Sequence, residues 1–224
     1  MWERERTQLL DHYDRSMPGL SALFVAGTGS WSIEVAEYAL AAGFEVLGLV
    51  ELLDRERVGS VVHGLPVRAV DHLPPVGERR VVLGVGLHRP DAWARLVREG
   101  WDPAPAILHP RAHVSESATT AEGTLVGPMA VVGAGSVVGR HVVLARGALV
   151  GHHVRIGNFA VVNPGAIIGG NSTIGRGVAI GMAAAVLNGI HVRARAVVAA
   201  GAVVRTDVPN GQRVQGVPAR PYSA

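Results

Sequence analysis

The sequence predicts two joined domains, an α/β Rossmann-like βαβ domain followed by a left-handed parallel β-helix of hexapeptide repeats, and three patterns carry that prediction. From Val126 onward an aliphatic residue returns at every sixth position, at Val126, Val132, Val138, Leu144, Val150, Ile156, Val162, Ile168, Ile174, Ile180, Val186, Val192, Val198 and Val204, without a break in phase. A period of six is too long for a helical stripe and suits one short strand plus one turn per repeat, three repeats closing one triangular coil. The residue four after each aliphatic is mostly small (Ala130, Ser136, Ala148, Ala160, Ala166, Ser172, Ala184, Ala196, Ala202), as the pinched interior of a narrow prism requires. Upstream, an apolar run, a Gly pair, a helical pattern and a second apolar run follow one another in the order of a βαβ unit.

Taken in order, residues 1–20 carry charges among scattered apolar positions and read as a leading arm or short helix. The Rossmann-like domain is expected over residues 21–106. It opens with the strand "ALFVAG" after Ser21, then Gly27-Thr28-Gly29-Ser30, a helix from Ser32 to about Ala42, and a strand from Glu45 to Val50 closed by Glu51. The Gly pair lets the backbone turn tightly against a ligand, and the helix N-terminus offers free N–H groups to an anion. The third Gly of the dinucleotide fingerprint is absent, with Ser32 near its place, so the pattern points to a nucleotide sugar rather than nicotinamide. Glu51 stands where a strand-end carboxylate accepts hydrogen bonds from ribose hydroxyls. A third unit follows as strand Val81 to Val85, Gly86, and a helix from about Pro90 to Glu99, with Trp93 and Leu96 on one face. Pro103, Pro105 and Pro110 punctuate the crossover into the β-helix of residues 107–224. There Gly127, Gly133, Gly139, Gly151, Gly157, Gly169, Gly175 and Gly181 open the turns, where backbone freedom is expected.

Composition narrows the function. The chain has no Cys, so transfer chemistry must proceed without a protein thiol intermediate, and no Lys, so a P-loop or Schiff-base lysine is excluded. The net charge of +3 is slight and aromatic residues are few, which speaks against nucleic acid as a partner. No signal-peptide pattern opens the chain and no apolar run is long enough to span a bilayer, so a cytoplasmic location is expected.

The residue before each core aliphatic points outward, and stacking every eighteen residues sorts these into three faces. Face one presents Leu125, Val143, Val161, Ala179 and Val197; face two Val131, Leu149, Ile167, Ala185 and Val203; face three Val137, Arg155, Thr173 and His191. Two adjacent apolar faces are too much for a monomer, and a ring in which face one meets face two of the next copy would bury both, so a homotrimer is expected. Cover of those faces by crossover loops or by the N-terminal domain is the alternative. The turn leaving face two reads "VGHHVRIG", which puts His152 and His153 at a corner outside the core, where an imidazole can take a proton near neutral pH.

With these residues in view, the chain resembles the bacterial sugar acyltransferases of the sialic acid O-acetyltransferase and bacillosamine-type amino-sugar N-acetyltransferase kind. The resemblance runs from Ala22 to Tyr222 and rests on "FVAGTGSWSIEVAEYALAAGFEVLGLVE", "ILHPRAHVS", "GALVGHHVRIGNFAVVNPGAIIGGNSTIG" and "DVPNGQRVQGVPAR". It implies an acetyl-CoA-dependent enzyme in which His152 is the general base, with His153 modulating it. Gly27, Gly29, Trp31, Glu51 and Gly86 match positions that hold the acceptor, a nucleotide-linked or amino sugar. The positions of Val161, Gly170, Met182 and Ala200 line the pantetheine and acetyl channel, and no metal is expected. Three departures mark this chain: His153 replaces an acidic residue, Val161 replaces a second histidine, and Gly27-Thr28-Gly29-Ser30-Trp31-Ser32 replaces a Gly-x-Gly-Gly-His-Gly loop. The expected reaction is direct acyl transfer from CoA to a sugar amine or hydroxyl. The rivals are a non-catalytic sugar-binding or assembly trimer and a γ-carbonic-anhydrase-like metalloenzyme, for which the repeats supply His152, His153, a remote His191 and an Arg-flanked His141.

Overall fold

The computed structural model describes residues 21–86 and 88–222, so the expected leading arm at 1–20 lies outside the described residues. The N-terminal unit runs β1 (Ala22–Ala26), α1 (Ser30–Ala41), β2 (Glu45–Glu51), a 3-10 turn (Arg55–Arg57), β3 (Val61–Val62), β4 (Leu65–Ala69), β5 (Arg80–Leu83), α2 (Arg89–Glu99) and β6 (Asp102–Pro103). Its sheet order is β3-β4-β2-β1-β5-β6, parallel except for the β3–β4 hairpin. The alternation of side chains across the pleat sorts the strands' residues into two cores. Leu23, Val25, Leu49 and Val82 meet α1 on one face, and Phe24, Ala26, Val50, Val81 and Leu83 meet Leu96 of α2 on the other. Helix α1 begins at Ser30 rather than Ser32, and β5 ends at Leu83 rather than Val85.

The left-handed parallel β-helix then stacks two-residue strands into three sheets. Leu125 pairs with Val143 and Val143 with Val161 on face one; Leu149 pairs with Ile167 on face two; Val137 pairs with Arg155 on face three. The ladder starts earlier than the unbroken repeat, because Ile107, His113 and Thr119 already pair with Leu125, Val131 and Val137. Thr120 sits where this first coil would need an aliphatic, so periodicity alone does not reveal it. The core is the predicted one, with Val126, Val132, Leu144, Val162, Ala130, Ala160 and their successors buried.

Two expectations are corrected. The residues that turn the corners with positive φ are the third after each aliphatic, from Met129 and Gly135 through His153 to Gly201, and not the glycines that open the turns. Those opening glycines serve close stacking instead: a Cβ on Gly133 would lie 2.6 Å from the Gly151 carbonyl carbon, and one on Gly181 2.4 Å from the Ala200 nitrogen. The second correction concerns face one. Leu125 and Val143 are buried inside the chain itself, in one core with Val35, Tyr38 and Ala39 of α1, so this part of face one cannot meet face two of a neighbouring copy. Helix α1 is sandwiched between its own sheet and the β-helix, which explains why it carries apolar residues on both sides.

Candidate active site

The five residues expected to hold the acceptor line one cavity of about 340 Å³: Gly27, Gly29, Trp31, Glu51 and Gly86 surround it at the mouth of β1, β2 and β5. Gly27 is conformationally required, with φ +110 and a hypothetical Cβ 2.8 Å from Ser32 Oγ. Gly29 is the N-cap of α1, has open space around its Cα and contributes no side-chain cap, so the first N–H groups of the helix keep no side-chain acceptor there. Ser32, near the expected place of the missing third glycine, is buried and donates from Oγ to the Gly84 carbonyl at 3.0 Å, tying the α1 turn to β5. Gly84 escaped sequence reasoning, although a Cβ there would come 2.6 Å from Val25 Cγ1 and 2.9 Å from Ser32 Cα.

Glu51 is buried, and internal donors already reach both of its oxygens. The Leu53 N–H (2.8 Å) and Asp54 N–H (3.1 Å) donate to Oε1, and the Thr28 hydroxyl donates to Oε2. Burial pushes its pKa up, but the hydrogen bonds from Leu53, Thr28 and Asp54 outweigh burial and hold it below the usual carboxylate range. Glu51 therefore shapes the loop that forms the cavity wall, its carboxylate already fixed in place by internal donors. Arg57 extends the network by donating from Nη1 to Thr28 Oγ1 at 3.2 Å.

Trp31, Val85 and Gly86 also line a second space, a cleft of about 270 Å³ between the N-terminal unit and face one, bordered by Arg146, Val161 and Pro164. Two of the three departures from the family pattern, Trp31 and Val161, thus face the same cleft. An ion pair of Arg146 with Glu34 at 2.6 Å, to which the Tyr38 hydroxyl adds a hydrogen bond at 2.5 Å, spans the two domains at its edge.

His152 and His153 occupy the corner between faces two and three and are exposed. Their rings meet edge to face, with Nδ1 of each 3.1 Å apart. One must donate and the other accept; if His152 supplies the N–H, its Nε2 carries the free lone pair that a base needs. Sequence reasoning missed the residue that holds this turn. The buried Ser136, one coil below, donates from Oγ to the Gly151 carbonyl (2.8 Å) and accepts from the Val154 N–H (3.0 Å), bracketing the histidine pair. The signal was available in the hydroxyl at a position usually Ala: with Ser136 below it the Val154 amide bonds Oγ, whereas Val178, with Ala160 below it, bonds the Gly175 carbonyl within its own turn. Gly170, one coil above His152, is buried against the His152 ring.

Within one chain the predicted channel residues do not all meet. His152 and Gly170 lie in turns between faces two and three, Met182 and Ala200 in turns between faces one and two, and Val161 on face one. Among the described residues no group of three His, Asp or Glu side chains could hold a metal ion.

No family model and no curated protein matches the chain by sequence. Solved structures do. The acetyltransferase domain of PglB from Neisseria gonorrhoeae FA1090 is 32% identical, with a TM-score of 0.81 over 90% of this chain and 100% of that one. The same domain in complex with acetyl coenzyme A gives 33% identity and a TM-score of 0.80 over 91% and 100%. PerB from Caulobacter crescentus, in complex with CoA and GDP-perosamine, gives 26% identity and a TM-score of 0.82 over 90% and 97%.

Proposed function

The chain belongs to the sugar acyltransferases of the hexapeptide-repeat β-helix superfamily, and from that premise we propose that it moves an acetyl group from acetyl-CoA to the amine of a nucleotide-linked sugar. The observation that carries this reading is its match to the whole of an acetyltransferase domain at 32% identity, joined to a cavity that all five expected acceptor residues line.

In this reading the nucleotide enters beside Gly27, Glu51 and the open N-terminus of α1, and the sugar passes Trp31 toward the cleft at Val161. His152 Nε2 takes a proton from the acceptor amine as its nitrogen attacks the thioester carbonyl. The Gly170 N–H, which has no acceptor among the described residues, is a candidate donor to the oxyanion. The tetrahedral intermediate collapses with loss of CoA thiolate, which recovers the proton from the imidazolium. His153, in the place of a carboxylate, accepts from His152 Nδ1–H in its neutral form and so selects the productive tautomer.

A trimer supports this chemistry, because the halves of the channel stand at different corners of one prism. If three copies turn face two toward a common axis, the His152 corner of each lies beside the Met182 and Ala200 corner of the next, and the site is complete. Leu149 (41% exposed) and Ile167 (46% exposed) make that face apolar and open in the single chain. Among the described residues no helix is long and apolar enough to cross a membrane. We place the enzyme in the cytoplasm with its donor, acetyl-CoA.

The test is thiol release from acetyl-CoA against a panel of GDP-, UDP-, dTDP- and CMP-linked amino sugars and their hydroxyl counterparts, wild type beside His152→Ala. Turnover with an amino sugar and a loss of ~100-fold or more in the variant are expected. Near wild-type turnover in His152→Ala would remove this residue as the base, and no thiol release with any acceptor would favour the non-catalytic binding trimer.

A further inference from the structure

We infer that Gly170 is a positioning residue: the absence of a side chain there makes the seat on which the His152 imidazole rests, with its Nε2 edge unobstructed. The inference rests on the reading of His152 as the base, and its evidence is steric. A Cβ built on Gly170 would lie 2.7 Å from His152 Nε2, 2.9 Å from Cε1 and 3.0 Å from Cδ2, the first two closer than a Cβ approaches a non-bonded atom, so either the ring or the turn must shift. The three atoms are Nε2 and the two carbons bonded to it, the end of the ring away from Cγ, while Nδ1 faces His153.

The fold itself asks for no glycine at this place. Gly170 is not among the residues with positive φ, so its backbone conformation suits any side chain. The equivalent position, second after the core aliphatic, is filled in other turns by Ala134, Arg140, Arg146, His152, Asn158, Arg176, Met182, Asn188, Ala194 and Ala200. Those side chains stand exposed or half-buried, whereas Gly170 is buried, because the ring one coil below covers it. The glycine one coil below His153 has a different cause. Gly135 has φ +67 and would be favoured there whatever lay above it, although the His153 ring also comes within 3.0 Å of its hypothetical Cβ.

The two contacts on His152 are complementary. His153 fixes the ring's Nδ1 side through a hydrogen bond, and Gly170 fixes the plane and clears the Nε2 side through shape. Proton abstraction needs both, since a base displaced by about an ångström can lose on the order of a hundredfold in rate.

Gly170→Ala tests the inference, first by crystallography and then by a double-mutant cycle. Crystal structures of the wild type and Gly170→Ala are expected to differ in the His152 side-chain torsions, with the backbone of the turn unchanged. This measurement needs no acceptor and so stands even if the proposed reaction is wrong. A ring that keeps its position in Gly170→Ala would overturn the seat. In kinetics, with the acceptor that releases thiol fastest in the panel, Gly170→Ala should lower kcat by tenfold or more, leaving the Kd for CoA within a factor of about three. In the His152→Asn background, which lacks the ring, the same substitution should cost less than about threefold. An equal loss in both backgrounds, or a parallel loss of CoA affinity, would make Gly170 a donor contact rather than a seat. If His152→Asn itself leaves turnover intact, the assignment of the base fails while the crystallographic result still decides the seat.

Discussion

A single hydroxyl holds the turn on which the proposed chemistry depends. Ser136 donates to the Gly151 carbonyl and accepts from the Val154 N–H, and the chain makes the His152–His153 turn between those two atoms. The β-helix uses the same device twice more. Thr124 bonds the Gly139 carbonyl and the Val142 N–H, and Ser172 bonds the Leu187 carbonyl and the Ile190 N–H. In each case a β-branched residue stands in the next coil where the repeat is usually small, and its amide bonds the hydroxyl below; Val178, with Ala160 below it, instead keeps the bond within its own turn. Ser136→Ala removes both bonds, and the Val154 amide and Gly151 carbonyl can re-pair only by tightening the turn, as Val178 and Gly175 do above Ala160; it should therefore lower stability by ~1 kcal/mol and reduce kcat more than it changes KM, because it moves the base without touching either substrate. Urea unfolding and thiol-release kinetics on the same variant would check this, and an unchanged midpoint together with unchanged kcat would show that the bracket is dispensable.

At the scale of elements, the two helices of the N-terminal unit fasten it to the β-helix in different ways. Helix α1 docks by apolar area, through Val35, Tyr38 and Ala39 against Leu125 and Val143. Helix α2 docks by aromatic stacking: Trp93 lies 4.1 Å from the His141 ring, which stacks on Phe159 at 5.0 Å, and Arg176 continues the column over Phe159. Arg89 at the start of α2 bolts the joint by donating to the carbonyls of Leu83, Val85 and His141. Burial lowers the His141 pKa to about 4, and the charges of Arg89 and Arg140 add to that effect. The folded state therefore holds a neutral imidazole where the unfolded chain has one titrating near 6.5, and protonation favours unfolding. The contribution is complete above pH 6.5 and is lost as pH falls from there toward 4, on the order of 2–3 kcal/mol in all. His141→Phe, which keeps the stack and removes the titration, should flatten the decline of Tm between pH 6.5 and 4. Parallel Tm profiles for variant and wild type would show that acid acts elsewhere, for instance at His109, whose pKa burial and Arg111 also lower.

For the whole molecule, what the sequence disclosed depended on repetition. The coil interior was legible because each position recurs many times, so chance departures such as Val142 or Val154 could not hide the phase. The cavity at the mouth of β1, β2 and β5 was legible in part: Gly27, Gly29 and Glu51 sit at a tight turn and a strand end, where backbone geometry restricts residue type, whereas Trp31 and Gly86 came only from the family resemblance. Contacts formed once between distant segments left no such record: the burial of His141 under Trp93, the Arg89 bolt and the cover that α1 places over Leu125 and Val143 all needed coordinates. That cover changes which surface can close a ring. Face one is occupied by the chain's own helix near its start, so the open apolar surface is face two, where Val131, Leu149, Ile167, Ala185 and Val203 stand in consecutive coils. A charge at the centre of that face would have to be buried unpaired near a three-fold axis, repeated once per subunit, with like charges brought together. Ile167→Arg should therefore convert a trimer to monomers and abolish thiol release while leaving the fold of the single chain intact, since Ile167 is exposed there and contributes nothing to its core. Light scattering and circular dichroism on the wild type and Ile167→Arg read the two effects separately. A wild type that scatters as a monomer with full activity would show that one prism completes the site alone, and the separation of His152 from the Met182 corner would then have to be bridged by the substrates themselves.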